Sequence, residues 1–330
     1  MLLRSEDHFA REHLKRNPAA FVGIVVFGFV NSCASFLLPV SIGEFFALHF
    51  HSQSSKAALL QTLGIHVESL QAFFLLFGAV LIAKAIAGYI ENVATFSQGE
   101  LFVKHLREKV FGSQINAEPN SKGSYGKYLL RYSNDMKAVQ NYFSKGILGA
   151  IKNGLFLLTG TAMIAAINPM LTLILLSLLL LATGAIYCLS AYQRPFISTS
   201  RSNRSSLLAF VARSFSRFDK LKQRQLEQGA VDEFNRRSVD LYDANMRSNK
   251  IESLVQVTSA FLIFVMIGIV LWQMTMPYVH IRSSDGVMIM LMILMMQGAL
   301  RGLLRVPAFL NKGRISLEKI ENILVQGVTP

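Results

Sequence analysis

Charge is scarce in this sequence. Of its 330 residues 16% are Asp, Glu, Lys or Arg and 52% are hydrophobic, and the mean hydropathy is +0.39. Soluble domains carry about a quarter of their residues as charges, so this balance excludes one and marks an integral membrane protein. Cysteine is scarce as well. Cys33 and Cys188 both lie inside hydrophobic runs and form no CxxC or Cys/His metal pattern, which leaves them as structural thiols. Val30-Asn31-Ser32-Cys33 faintly resembles a lipoprotein cleavage box, but the apolar stretch continues to Phe46, so no cleavage is expected. There is no convincing Ser/His/Asp, paired-carboxylate or zinc arrangement, so no covalent chemistry is assigned. Helix breakers are missing from one long polar stretch: Gln193 to Lys250 has no proline after Pro195 and a single glycine, Gly229. Such a segment is expected to be helix that leaves the membrane, turns once and returns.

What the sequence has in excess is positive charge. The formal net charge is +13. Between Gln193 and Lys250 twelve Lys and Arg face six Asp and Glu. The bases are not gathered on a soluble domain with stacking aromatics, so nucleic acid is not an expected partner. In a membrane protein, Lys and Arg mark the cytoplasmic loops.

Six apolar runs follow an amphipathic segment at 1–17, where Arg4, Arg11, Lys15 and Arg16 interleave with Phe9 and Leu14. That segment is suited to lie along the inner membrane surface; a disordered basic terminus is the alternative. The first run, about Pro18 to Leu48, exceeds the roughly 20 residues a bilayer core requires, and Pro39 is expected to kink it. The second starts near Leu70 and continues past Phe96 as a charged helix with Leu101, Leu106 and Val110 at helical spacing. Asn116 to Ser124, with Pro119 and Gly123, is a clear break. Run three ends near Ile167, and Asn168-Pro169 turns directly into run four, from Met170 to about Leu189. Runs five and six cover about Ile251 to Met274 and Gly286 to Leu310. The outer loops hold only Lys56 and Arg282 as bases, so both termini are expected in the cytoplasm.

Ionisable residues at membrane depth are costly and face a wet cavity or a partner helix. Lys84 and Glu91 are seven apart in run two with Gly88 between them, and Gln297, Arg301 and Arg305 line up in run six. As a substrate cavity these residues favour an anionic or amphipathic cargo. The alternative is that Lys84 pairs with Glu91 and the arginines snorkel to the interface. Gly298 and Gly302 form a GxxxG packing step. Met288, Met292, Met295 and Met296 fall on one side of run six, as an adaptable lining or as filler. Glu44, with His49 and His51 nearby, either forms a proton site at the outer mouth or marks the end of the span.

Short outer turns, long inner helical extensions and six spans together resemble the transmembrane domain of ATP-binding-cassette exporters of the type I fold. The segment Gly126-Lys127-Tyr128-Leu129-Leu130-Arg131-Tyr132-Ser133-Asn134-Asp135 is similar to the family's G-x-x-x-x-R-x-x-x-D segment, and Arg107 with Phe111 to its R-x-x-x-F pattern. Arg204-Ser205-Ser206-Leu207-Leu208-Ala209-Phe210-Val211, leading to Lys220-Leu221-Lys222 and Glu227, resembles the second intracellular turn. Arg213 stands where the family commonly has an acid, and Arg217 where it often has glycine. The resemblance implies an all-α bundle of six transmembrane helices with long cytoplasmic extensions, spanning 18–325 and assembled as a domain-swapped dimer, a homodimer in the simplest case. It implies two coupling turns that dock on an ATPase. One comprises Glu118, Pro119, Ser121, Lys122 and Gly123; the other comprises Val211, Arg213, Phe215, Arg217 and Phe218.

The sequence contains no GxxxxGK[ST] phosphate loop, so this chain has no nest for ATP phosphates. ATP and Mg are expected on a separate ATPase subunit; an ATPase cut away from this chain, or none at all, are the other cases. The expected function is the permease subunit of a transporter in the plasma membrane, the inner membrane of a Gram-negative bacterium. The alternatives are an ATPase-free peptide transporter driven by a proton gradient and a non-transporting scaffold. For the basic turns the competing reading is a solvated surface facing anionic lipid.

Overall fold

The structure is a computed structural model that describes residues 7–50, 69–115, 135–276 and 283–326. Among these residues every element is helical: α1 (Asp7–Arg16), α2 (Pro18–Phe50), α3 (Leu70–Ile115), α4 (Met136–Ile167), α5 (Pro169–Ser216), α6 (Phe218–Gln223), α7 (Glu227–Met274) and α8 (Ser283–Gln326). The fold is all-α. The first coupling turn, Gly126, Arg131, His51, Lys56 and Arg282 lie outside the described residues.

The helices α2, α3, α4, α7 and α8 are long and apolar enough to cross a membrane. The apolar part of α5 at Pro169–Leu181 falls short of that length on its own, although the helix runs on unbroken to Ser216. Large apolar side chains such as Leu75, Ile82, Leu173, Phe261 and Phe264 stand exposed on the bundle. In water such a surface is an aggregation liability, whereas in lipid it is the required one. The protein is therefore a multi-pass membrane protein. Hydroxyls inside the bundle return to their own helices. Ser32 donates to the Gly28 carbonyl, Ser41 to that of Leu37 and Thr159 to that of Leu155, at 2.7, 2.8 and 2.9 Å, so none of these three hydroxyl protons is stranded in hydrocarbon.

Helix length separates membrane from extension. At 1.5 Å per residue the 48-residue α5 and α7 are each about 72 Å long, against a hydrocarbon core of about 30 Å. Asn168 ends α4 and caps α5, its side chain accepting from the Leu171 N–H at 3.0 Å. Pro169 occupies the first turn, where its missing N–H costs nothing. α4 and α5 therefore form the hairpin that the Asn-Pro pair predicts. Run six continues as helix well beyond Leu310, and Pro307 sits inside it.

Two cores hold the bundle. One gathers Phe36, Leu157, Ile164, Leu171, Ile263 and Ile289 with Met288, Met292 and Met296, so these methionines fill the interior. The other lies at the opposite end, where Ala10 of α1 joins Phe102, Val110, Tyr142, Phe143 and Leu317. Phe9 and Leu14 pack on that second core, so α1 presents its apolar face to protein. Within α4, Tyr142–Leu148 is wound as π-helix. This wider turn is flanked by glycine contacts: a Cβ on Gly313 would stand 2.1 Å from Tyr142 Cβ, and one on Gly146 2.8 Å from Leu310 Cδ2.

Candidate functional site

At membrane depth the structure builds a polar cluster around Glu91. The residue is 1% exposed, and a bare carboxylate there would be prohibitive. It is matched on two sides: Lys152 Nζ of α4 lies 3.2 Å from Oε1, and Asn31 Nδ2 of α2 donates to Oε2 at 2.7 Å. Lys152 also donates to Asn92 Oδ1 at 2.8 Å. Small residues make this approach geometrically open: a Cβ on Gly28 would meet Glu91 Oε1 at 3.3 Å, and one on Gly88 would meet Asn31 Oδ1 at 3.4 Å. A cavity of about 160 Å³ adjoins the pair, lined by Asn31, Ser32, Glu91, Lys152, Asn153 and Met295 among others. It offers a cation, an anion and amides within the spans.

Of the expected cavity residues only Glu91 lines this space. Lys84 is half-buried on α3 and sits about 10 Å along the axis from Glu91. Among the described residues the salt bridge of Glu91 is made with Lys152 instead. Gln297 is half-buried, and Arg301 and Arg305 are exposed on α8. Within the GxxxG step the two glycines differ. A Cβ on Gly302 would stand 2.4 Å from Asn153 Nδ2, whereas one on Gly298 would meet nothing within 4 Å. Lys152 and Asn31 were missed in the sequence, although a lysine inside run three was the signal that could have found the first.

The second site is the tip of the α5–α7 hairpin. The two helices run antiparallel and are tied by Gln193 donating to the Ser248 carbonyl at 3.0 Å and by Asn203 donating to the Asp240 carbonyl at 3.0 Å. Further rungs join Ser200 to Asn245 and Arg237 to Ser206. Arg237 lies 5.1 Å from the Phe210 ring centroid and 2.7 Å from Glu233. Hydrogen bonds from Arg236 and Arg237 hold the Glu233 carboxyl down at about 2. Asn203 with Asp240, and Ser206 with Arg237, are symmetric about a point between Leu221 and Lys222, which places the turn at α6. Gln225, at φ 53°, completes the reversal.

Val211, Arg213 and Phe215 accordingly lie on the last turns of α5. Arg217 is the junction, and Phe218 opens α6. Phe215, Phe218 and Leu226 are 72, 52 and 52% exposed. Arg213, Arg217, Lys220 and Arg224 surround a concavity between them, and Lys222 pairs with Glu227 at 3.6 Å. A tip that carries exposed Phe215 and Phe218 as well as these cations suits a partner groove with an apolar floor and an acidic rim.

Residues 21–300 match the family described as ABC transporter transmembrane region. The chain belongs to this family. No curated protein matches the chain significantly. Within the ABC transmembrane region, Asp135 is the described member of the G-x-x-x-x-R-x-x-x-D segment. It stands immediately before α4 and accepts from Ser316 Oγ of α8 at 3.0 Å, tying the start of one helix to the far extension of another. Among the described residues no cluster of His, Cys, Asp and Glu has the makings of a metal site.

Proposed function

We propose that this membrane transporter protein is the permease subunit of an ABC-type transporter, driven by a separate ATPase. The observation that carries this reading is the α6 tip, because it puts exposed Phe218 and a ring of cations at the end of a stiff hairpin. That hairpin reaches about 40 Å beyond a bilayer core. A surface that only attracted lipid would need neither the reach nor the rigidity. Closure of two ATPases around ATP pushes on the tips, and the paired α5 and α7 transmit the push as levers that switch the cavity between inward and outward access.

In this reading six spans cross the plasma membrane with both termini cytoplasmic, and two identical chains form a domain-swapped dimer. ATP and Mg reside on the ATPase. The basic excess on the α6 side and the dearth of Lys and Arg in the outer loops support the orientation. The polar cavity at Glu91 and Lys152 serves as a waypoint for polar cargo groups, and the exposed Arg301 and Arg305 add positive potential on α8. The proton-driven alternative gains no support from the family match, which is to transporters named for an ATP-binding cassette.

Gentle affinity purification from the native membrane, followed by an ATPase assay, tests the proposal. Recovery of a stoichiometric ATP-binding subunit with ATPase activity is expected. An ATPase-inactive dimer that moves a peptide under an imposed proton gradient would overturn it.

A further inference from the structure

A third concavity, separate from the span cavity and from the α6 tip, opens where α4, α5 and α8 meet beyond the membrane. Its volume is about 350 Å³. Lys137, Arg201, Arg204, Lys312 and Lys319 line it, with Asp135 the acid among the lining residues. Five cations face one carboxylate, and that carboxylate already accepts from Ser316, which is 1% exposed.

The geometry holds these charges together. Arg201 is half-buried and fixed by donation from Nη1 to the Lys312 carbonyl at 3.1 Å, which anchors α5 to α8 and leaves the other guanidinium hydrogens free of that bond. Burial lowers the pKa of Arg201; Asp135 opposes that shift and Arg204 adds to it. A half-buried cation that shares one carboxylate with four other cations gains from a further anion. Surface lysines that merely repel one another swing apart into solvent. Here the bond from Arg201 to the α8 backbone at Lys312 holds that guanidinium in place.

Depth indicates the kind of anion. Asp135 and Arg201 are each 33 residues from Asn168 at the hairpin turn, about 50 Å along their helices, against about 30 Å of hydrocarbon and about 40–45 Å with headgroups. The pocket therefore sits at or below the inner edge of the headgroup layer, in water. Guanidinium and ammonium groups converging from three helices match the several oxygens of a phosphate chain.

The geometry points to a binding site for a multiply charged phosphate group at the junction of α4, α5 and α8, formed by Lys137, Arg201, Arg204, Lys312 and Lys319. An occupant bridges the extensions of three helices and so links its binding to their relative position. A soluble phosphorylated molecule fits the depth, and a large anionic lipid headgroup presents the same chemistry.

The test uses the full chain in phosphatidylcholine nanodiscs, titrated with inorganic tripolyphosphate by calorimetry. Saturable binding is expected, weakened about tenfold by Lys137→Gln with Lys319→Gln, two exposed positions that leave the core intact. Arg201→Gln should weaken it at least as much. Arg247→Gln with Lys250→Gln removes equal charge from α7 and should leave binding unchanged. In a second arm, phosphatidylinositol bisphosphate is mixed into the discs. Thermal stabilisation by that lipid that the Lys137/Lys319 variant loses, without tripolyphosphate binding, assigns the site to a lipid headgroup. Absence of both responses, or equal weakening by the α7 variant, overturns the proposal.

Discussion

Lys152 of α4 and Glu91 of α3 form a salt bridge of 3.2 Å inside the spans, but they share its burial unequally. The Glu91 side chain is 1% exposed and that of Lys152 31%. Removing the lysine leaves a buried carboxylate with Asn31 as its remaining support, whereas removing the acid leaves a partly solvated ammonium still bonded to Asn92. Lys152→Met should therefore cost about 2–4 kcal/mol and Glu91→Gln about 1 kcal/mol. The double variant should recover part of the larger loss. Thermal unfolding of the three variants in one detergent checks the order, and equal losses would refute the asymmetry.

The two glycines of the GxxxG step separate packing from pattern. Gly302→Ala forces its new methyl into Asn153 and should destabilise by about 1–3 kcal/mol. Gly298→Ala meets open space and should be neutral, or stabilising by up to about 1 kcal/mol through helix propensity. Unfolding curves that move equally for both would mean that the step packs as a unit.

The docking of α1 should weaken in acid. His13 lies against Phe102, Phe143 and His105, with Gln98 Oε1 3.2 Å from Nε2 and Arg16, Glu12 and Lys109 around the same recess. Burial lowers its pKa from 6.5, the Gln98 contact opposes the shift, and His105 and Arg16 add to it. With the folded value depressed, the released helix binds more protons than the docked one. Docking is then at full strength above about pH 6.5 and is lost progressively as pH falls through the lowered folded value. Hydrogen exchange across Asp7–Arg16, corrected for intrinsic rates, should speed up in that window in the native chain. His13→Gln should remove the dependence.

Glu233 gives the α5–α7 extension its own acid limit. Its carboxyl sits at about 2, against 4.5 when free, because Arg236 and Arg237 donate to it. The contribution of the clamp is present above about 4.5 and disappears as pH falls through about 2. Glu233→Gln should loosen the α5–α7 extension at neutral pH, read as faster exchange near Ser206 and Arg237, and should leave the membrane-embedded ends of both helices unchanged.

Hydropathy and the Asn168-Pro169 turn made the long helices and the α4–α5 hairpin legible, because hydrocarbon leaves a backbone few choices. The position of the second turn was harder to read. Gly229, the glycine of that segment, lies inside α7 with open space around it, while the reversal uses Gln225 at positive φ, a residue with no special preference for it. Cross-helix polar partners set the register and placed the turn beyond Val211 and Phe215. The pairing of Glu91 with Lys152 was equally out of reach, since residues far apart in sequence met only when α3 and α4 packed. Charge counts located basic surfaces, but only the fold could divide them between the α6 tip and the pocket at Arg201.

In the proposed function the ATPase docks at the α6 tip. Phe218→Ala should weaken association with the ATPase by about tenfold or more and leave thermal unfolding of the spans unchanged, since the side chain is 52% exposed. The most direct measurement replaces Phe218 with a photo-crosslinking phenylalanine analogue and irradiates native membranes. The expected product is an adduct with an ATP-binding polypeptide whose hydrolysis rate rises when it is reconstituted with this chain. Crosslinking to lipid alone, together with full-rate transport in vesicles that contain no ATP, would contradict it.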